Sequence, residues 1–161
     1  LESIAFGIIY IESEVKLTLD IKFKYIGDFK SPQIQTEGSA GIDLFNNSNE
    51  GVTIEPGEVQ EISTGFFVEI PKGYAGLVFA RSSLGFKYNC TLINSVGVID
   101  SDYRGEIKAK IVNLGKTAHT IEEGERCVQL VIVPHIQANF IQVDKLSETN
   151  RGAAGFGSTG K

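Results

Sequence analysis

Short runs of alternating apolar and polar residues, divided at close intervals by Gly, Pro and Asn, leave this chain few folds to adopt. Val15-Lys16-Leu17-Thr18-Leu19-Asp20-Ile21-Lys22-Phe23-Lys24-Tyr25 alternates with period two, as a half-buried strand does. Strand-like runs recur at residues 65–70, 75–80, 118–121 and 127–133. Gly51 to Glu58, Pro71-Lys72-Gly73-Tyr74 and Glu122-Glu123-Gly124-Glu125 supply turns between them. One short helix is expected over residues 82–87, where Ser82 can cap it. The pattern predicts an all-β, jelly-roll-like sandwich or barrel with at most one short helix, without an internal repeat or a second domain.

A length of 161 residues suits one core-forming domain. A net charge of -5 argues against a broad nucleic-acid surface, which needs a clustered basic face, so any phosphate contact is local. Cys90 and Cys127 lack metal-ligand spacing and are too few for a disulfide framework; they read as buried thiols of a cytoplasmic protein. The apolar run from Ile4 to Ile11 is too short for a membrane span and follows no basic segment, so it is not read as a signal peptide. The chain holds no Met, and residues 1–16 are read as an N-terminal extension. A β domain over residues 17–148 and a flexible glycine-rich tail over residues 149–161 complete the expected organisation.

Residues 92–106 stand out chemically. Ile93, Val96 and Val98 before Asp100-Ser101-Asp102-Tyr103, and Ile107, Ala109 and Ile111 after it, predict a β-hairpin with a tight turn. Gly97 and Gly105 lack a Cβ, so backbone groups there can approach a flat ligand edge. Asp100 at the tip can orient a water or accept a proton, although Asp and Ser are also ordinary turn formers.

Four other stretches interrupt the alternation. Ala40-Gly41-Ile42-Asp43-Leu44 sets a carboxylate in an apolar segment. Arg81-Ser82-Ser83-Leu84-Gly85 puts a guanidinium and two hydroxyls at the expected helix start, either a plain cap or a seat for phosphate oxygens. Gln129, within Gly124-Glu125-Arg126-Cys127-Val128-Gln129-Leu130, is an amide in an apolar strand that must find partners in the core, at a subunit interface or on a ligand. Arg151-Gly152-Ala153-Ala154-Gly155-Phe156-Gly157-Ser158-Thr159-Gly160-Lys161 is a terminus whose backbone can wrap phosphates while Phe156 covers a base. It lacks the strand and Gly-Lys-Ser/Thr ending of a phosphate loop.

In this order the five stretches closely resemble the five motifs of the trimeric deoxyuridine triphosphatase (dUTPase) family, over residues 40–160. The resemblance implies a jelly-roll-like subunit, a homotrimer with three interfacial sites, and Mg²⁺-dependent hydrolysis of dUTP to dUMP and pyrophosphate. Such a reaction limits uracil incorporation into DNA and supplies dUMP for thymidylate synthesis. By the same resemblance Asp100 orients the attacking water, and Tyr103 lies under the deoxyribose and excludes a 2′-hydroxyl. Asn94 and the backbone of Gly97, Val98 and Ile99 read uracil. Arg81, Ser82, Ser83 and Gln129 bind phosphate, and Asp43 belongs to a supporting polar network. Arg151, Phe156, Gly157, Ser158 and Thr159 belong to the tail that closes from a neighbouring subunit. Mg²⁺ is held mainly by substrate phosphates and water, without a dedicated protein ligand.

Glu125, Val96 and Ala153-Ala154 depart from residues common in the family without removing a reacting group. The related dCTP deaminases share the Arg-Ser-Ser element but resemble enzymes with a second Arg soon after it, where this chain has Leu84-Gly85-Phe86. Neither nucleic acid nor membrane is an expected partner; for a chain of phage origin, a host regulatory protein is one. His119 and His135 are expected on strand or loop surface.

Overall fold

The computed structural model describes residues 18–29 and 31–155. Ten strands and one short helix follow in the order β1 (Lys22–Tyr25), β2 (Ile42–Phe45), β3 (Val52–Ile54), β4 (Val59–Glu69), β5 (Tyr74–Ala80), α1 (Ser82–Tyr88), β6 (Cys90–Leu92), β7 (Gly97–Ile99), β8 (Glu106–Asn113), β9 (His119–Ile121) and β10 (Arg126–Pro134). They form a sheet of order β1-β4-β8-β6, a second of order β2-β10-β5-β7, and a β3-β9 ribbon, every pair antiparallel. Ile62, Phe66, Ile107 and Ile111 of the first sheet and Leu44, Val78, Val128 and Leu130 of the second share one buried core. Each such side chain contributes about 2 kcal/mol by leaving water. The fold is the all-β sandwich that the alternation predicts.

The predicted turns are present. Tyr74 N–H donates to Pro71 O, Glu58 N–H to Glu55 O and Glu125 N–H to Glu122 O, with Gly73, Gly57 and Gly124 all at positive φ. The strand expected from residue 15 is shorter: among the described residues only Lys22–Tyr25 pairs, and residues 15–17 lie outside them.

The hairpin expected over residues 92–106 is corrected. Its turn exists, since Tyr103 N–H donates to Asp100 O at 3.1 Å. The strands beside that turn, however, belong to different sheets: β7 pairs with β5, and β8 pairs with β4 and β6. The chain leaves β6 through Ser95 at φ 62, crosses to the second sheet as β7, and returns after the turn. Alternation gives both strands an inward row but does not say which sheet receives it.

Among the described residues no helix is long and apolar enough to cross a membrane.

Candidate active site

Register places the first cluster. On the core side of the second sheet Leu44, Val128 and Ala80 form one row, so the next row, Asp43, Gln129 and Phe79, points to the opposite face. Asp43 Oδ1 lies 3.2 Å from Arg81 Nε and Asp43 Oδ2 lies 3.1 Å from Arg126 Nη1. Arg81 is fixed from behind as well, its N–H donating to Cys127 O at 3.1 Å. Gln129 is half-buried rather than sealed in the core, and its amide bonds no described residue.

Arg81, not Ser82, is the N-cap of α1, and no side chain caps the helix. The Ser82 and Ser83 hydroxyls bond no described residue, and Ser82 lines a hollow of 310 Å³ with Ala80, Arg81, Gly85, Phe86, Cys90 and Thr91. Two guanidinium groups aligned by one carboxylate, with two hydroxyls and an amide left without partners among the described residues, are donors of the kind that can bind an anion, and the ion-paired trio keeps a net positive charge.

The second cluster surrounds the turn after β7. Asp100 is exposed, and its carbonyl closes the turn. Tyr103 Oη–H donates to Glu106 O at 2.9 Å, and Arg104 Nη1 donates to the carbonyls of Ser101 and Tyr103 at 2.7 and 2.8 Å. The Tyr103 ring occupies the space where Gly105 would carry a side chain. At Gly97 a Cβ would stand 3.2 Å from Val78 Cβ, so the bare backbone of β7 lies close on β5. Asn94 is exposed just before it.

One chain keeps these clusters apart. Ile99 pairs with Gly76 near the start of β5, whereas Arg81 follows that strand's end. Asp100 follows Ile99 beyond that pair, which puts it about 20 Å along the sheet from Arg81 at the usual rise of an extended chain. Arg151 is exposed, its Nε donating to Ala154 O at 3.1 Å, and residues 135–155 form no strand or helix. Phe156, Gly157, Ser158 and Thr159 lie outside the described residues.

Arg126, second partner of Asp43, is not marked by the sequence pattern, because cross-strand register is needed to bring it there. His119 is half-buried instead of lying on the surface: its ring stacks on Tyr88, centroids 3.7 Å apart, and Nε2 is enclosed without a partner among the described residues. His135 is exposed as expected. Both thiols are free and buried; desolvation raises each, and pushes Cys127 up to about 12. Among the described residues no group of His, Cys, Asp and Glu could by itself hold a metal ion.

The dUTPase family model matches residues 28–160. The deoxyuridine 5'-triphosphate nucleotidohydrolase of Desulfitobacterium hafniense is 44% identical over 147 residues, covering 89% of this chain and 97% of that one. Its counterpart in Caldanaerobacter subterraneus is 45% identical over 147 residues, covering 91% and 96%. Among solved structures, a dUTPase of Staphylococcus bacteriophage 80alpha with dUPNHPP superposes with a TM-score of 0.80 at 30% identity, covering 89% of this chain and all of that one. A mutant dUTPase of phage phi11, described with a structural Mg(II) ion, gives 0.71 at 26% identity over 79% and 98% of the two chains. This chain belongs to the dUTPase family.

Proposed function

We propose that this chain hydrolyses dUTP to dUMP and pyrophosphate at sites that no single copy completes. The observation that carries this reading is the separation between Asp100 and the Asp43–Arg81 pair at opposite ends of β5. A water-orienting carboxylate must lie within hydrogen-bond reach of the water it directs at a phosphate, so distant halves must come from different copies. The outward face of the second sheet supports association. Val131, Leu77 and Val98 form an apolar row there, and Val98 is 63% exposed. Beyond β10, Ile136 and Phe140 are 93% and 94% exposed, as suits an arm reaching a neighbour. A cyclic homotrimer would close such contacts into three equivalent sites.

Within each site the roles divide by chemistry. Arg81, Ser82, Ser83 and Gln129 bind the phosphates, with Asp43 aligning Arg81 and Arg126. Asp100 of another copy orients the water on the α-phosphorus, where phosphoryl transfer needs mainly positioning and charge neutralisation. Tyr103 lies under the deoxyribose, while Asn94 and the backbone of Gly97, Val98 and Ile99 read uracil, cytosine leaving groups unpaired. Arg151, Phe156, Gly157, Ser158 and Thr159 close the site from a third copy.

Mg²⁺ fits this donor set as a partner of the substrate. Both oxygens of Asp43 already face arginines, and the exposed Asp100 carboxylate, with Asp102 in the same turn, bonds no described residue. When bound with the triphosphate the ion would neutralise phosphate charge, with Asp100 at most a ligand through water.

The reading is tested by pyrophosphate release from dUTP, dCTP, dTTP and UTP in parallel. Strong preference for dUTP is expected; equal turnover of dUTP and UTP overturns the Tyr103 role, and preference for dCTP overturns the uracil assignment. A second, compatible reading follows from the solved phage relatives, whose dUTPases are described as controlling transfer of virulence genes. Capture of a host protein that persists with Asp100→Ala would support it.

A further inference from the structure

We propose that Glu106 is a positioning residue for sugar selection, anchoring the seat of Tyr103 to an irregularity in β4. The inference rests on Tyr103 being the ring that excludes a 2′-hydroxyl.

The ladder between β4 and β8 breaks at one place. Ser63 pairs with Lys108 and pairing resumes at Phe67 with Glu106, so residues 64–66 of β4 face Ile107 alone. Gly65 within that bulge has φ 62, and its N–H turns out of the ladder. Glu106 supplies what the bulge lacks: its Oε1 accepts from Gly65 N–H at 2.8 Å and from the Ser63 hydroxyl. The Thr64 hydroxyl donates to Ile107 O beside them. Glu106 is half-buried, so these bonds are shielded from competing water.

The same residue carries Tyr103 through its backbone, its carbonyl accepting the phenol hydroxyl at 2.9 Å. Gly105 completes the seat, because a Cβ there would stand 2.6 Å from Tyr103 Cζ and push the ring away. Bulge, carboxylate, carbonyl and bare glycine thus form one continuous connection from β4 to the aromatic face. Steric rejection of one added hydroxyl depends on ring position at the scale of an ångström. An anchor two contacts away therefore acts on selectivity more than on turnover.

A merely structural Glu106 would lower turnover of dUTP and UTP together and leave their ratio alone. The test measures kcat/KM for both nucleotides, by pyrophosphate release, with full-length assembled wild type, Glu106→Ala, Glu106→Gln, Ser63→Ala and Gly105→Ala. Glu106→Ala and Gly105→Ala are expected to lower the dUTP/UTP ratio about tenfold, and Ser63→Ala to lower it less. Glu106→Gln keeps it within about twofold, since an amide oxygen accepts from the same donors. A ratio unchanged in Glu106→Ala and Gly105→Ala overturns the inference while leaving dUTP hydrolysis intact. If Glu106→Ala does not fold, Gly105→Ala and Ser63→Ala decide by the same ratio. Wild type that turns over both sugars equally overturns the Tyr103 role, and this inference with it.

Discussion

Asp43 Oδ1 stands 3.2 Å from Arg81 Nε, in a pair whose side chains keep only 15% and 27% of their exposure. A carboxylate is a poor neighbour for a triphosphate, so its use here is to hold two guanidinium groups in advance of the ligand. Removing it frees Arg81 and Arg126 but leaves their charge. Asp43→Ala is therefore expected to raise KM for dUTP more than it lowers kcat, with a total loss in kcat/KM of about 1–2 kcal/mol. Steady-state kinetics at two salt concentrations check this; an unchanged KM contradicts it.

Asp100 is exposed and engages its own chain through its carbonyl. Asp100→Asn should therefore preserve the melting temperature while lowering kcat by roughly 10²–10⁴, the range for loss of a positioned base. A thermal melt measured beside pyrophosphate release separates lost chemistry from lost fold.

Asn113 is wholly buried, its Nδ2 donating to Ile54 O and Thr117 O at 2.8 Å each and its Oδ1 accepting from Gly115 N–H at 2.8 Å. It ties β8 to β3 and to the following turn. Asn113→Ala leaves one buried and two part-buried backbone groups without their partner and should cost about 2 kcal/mol. Urea unfolding reads the loss directly, and a change below about 1 kcal/mol would contradict this accounting.

Burial pushes the Cys127 thiol from 9.0 up to about 12. Above about pH 9 the unfolded chain releases this proton and the folded chain retains it, so the folded state binds more protons. The contribution is fully present below the unfolded value and is lost as pH rises towards about 12, with a slope of at most about 1.4 kcal/mol per pH unit. Wild type should lose more urea stability than Cys127→Ala between about pH 8.5 and 10. Parallel losses would contradict the assignment.

Much of this fold is legible in local pattern. Ile107, Ala109 and Ile111 alternate with exposed Lys108 and Lys110, and β8 buries that row. Glycines at 57, 73 and 124 mark turns because the chain needs positive φ there. What alternation does not carry is pairing across distance. It reads residues 92–106 as one hairpin, whereas β7 and β8 serve different sheets. The residues proposed for the site stand as types in five ordered stretches, but Arg126 beside Asp43 and Tyr88 over His119 depend on register and packing between remote segments.

The central claim, that a complete site draws on different copies, has a direct test in subunit mixing. Arg81→Ala and Asp100→Asn chains are each expected to be inactive alone. Co-assembled at equal amounts they place an intact Arg81 beside an intact Asp100 of a neighbour in about a quarter of sites, if exchange in a cyclic trimer is random. Recovery of about a quarter of wild-type pyrophosphate release is the predicted result. A mixture as inactive as its two components, with hybrid trimers demonstrated, would contradict the account.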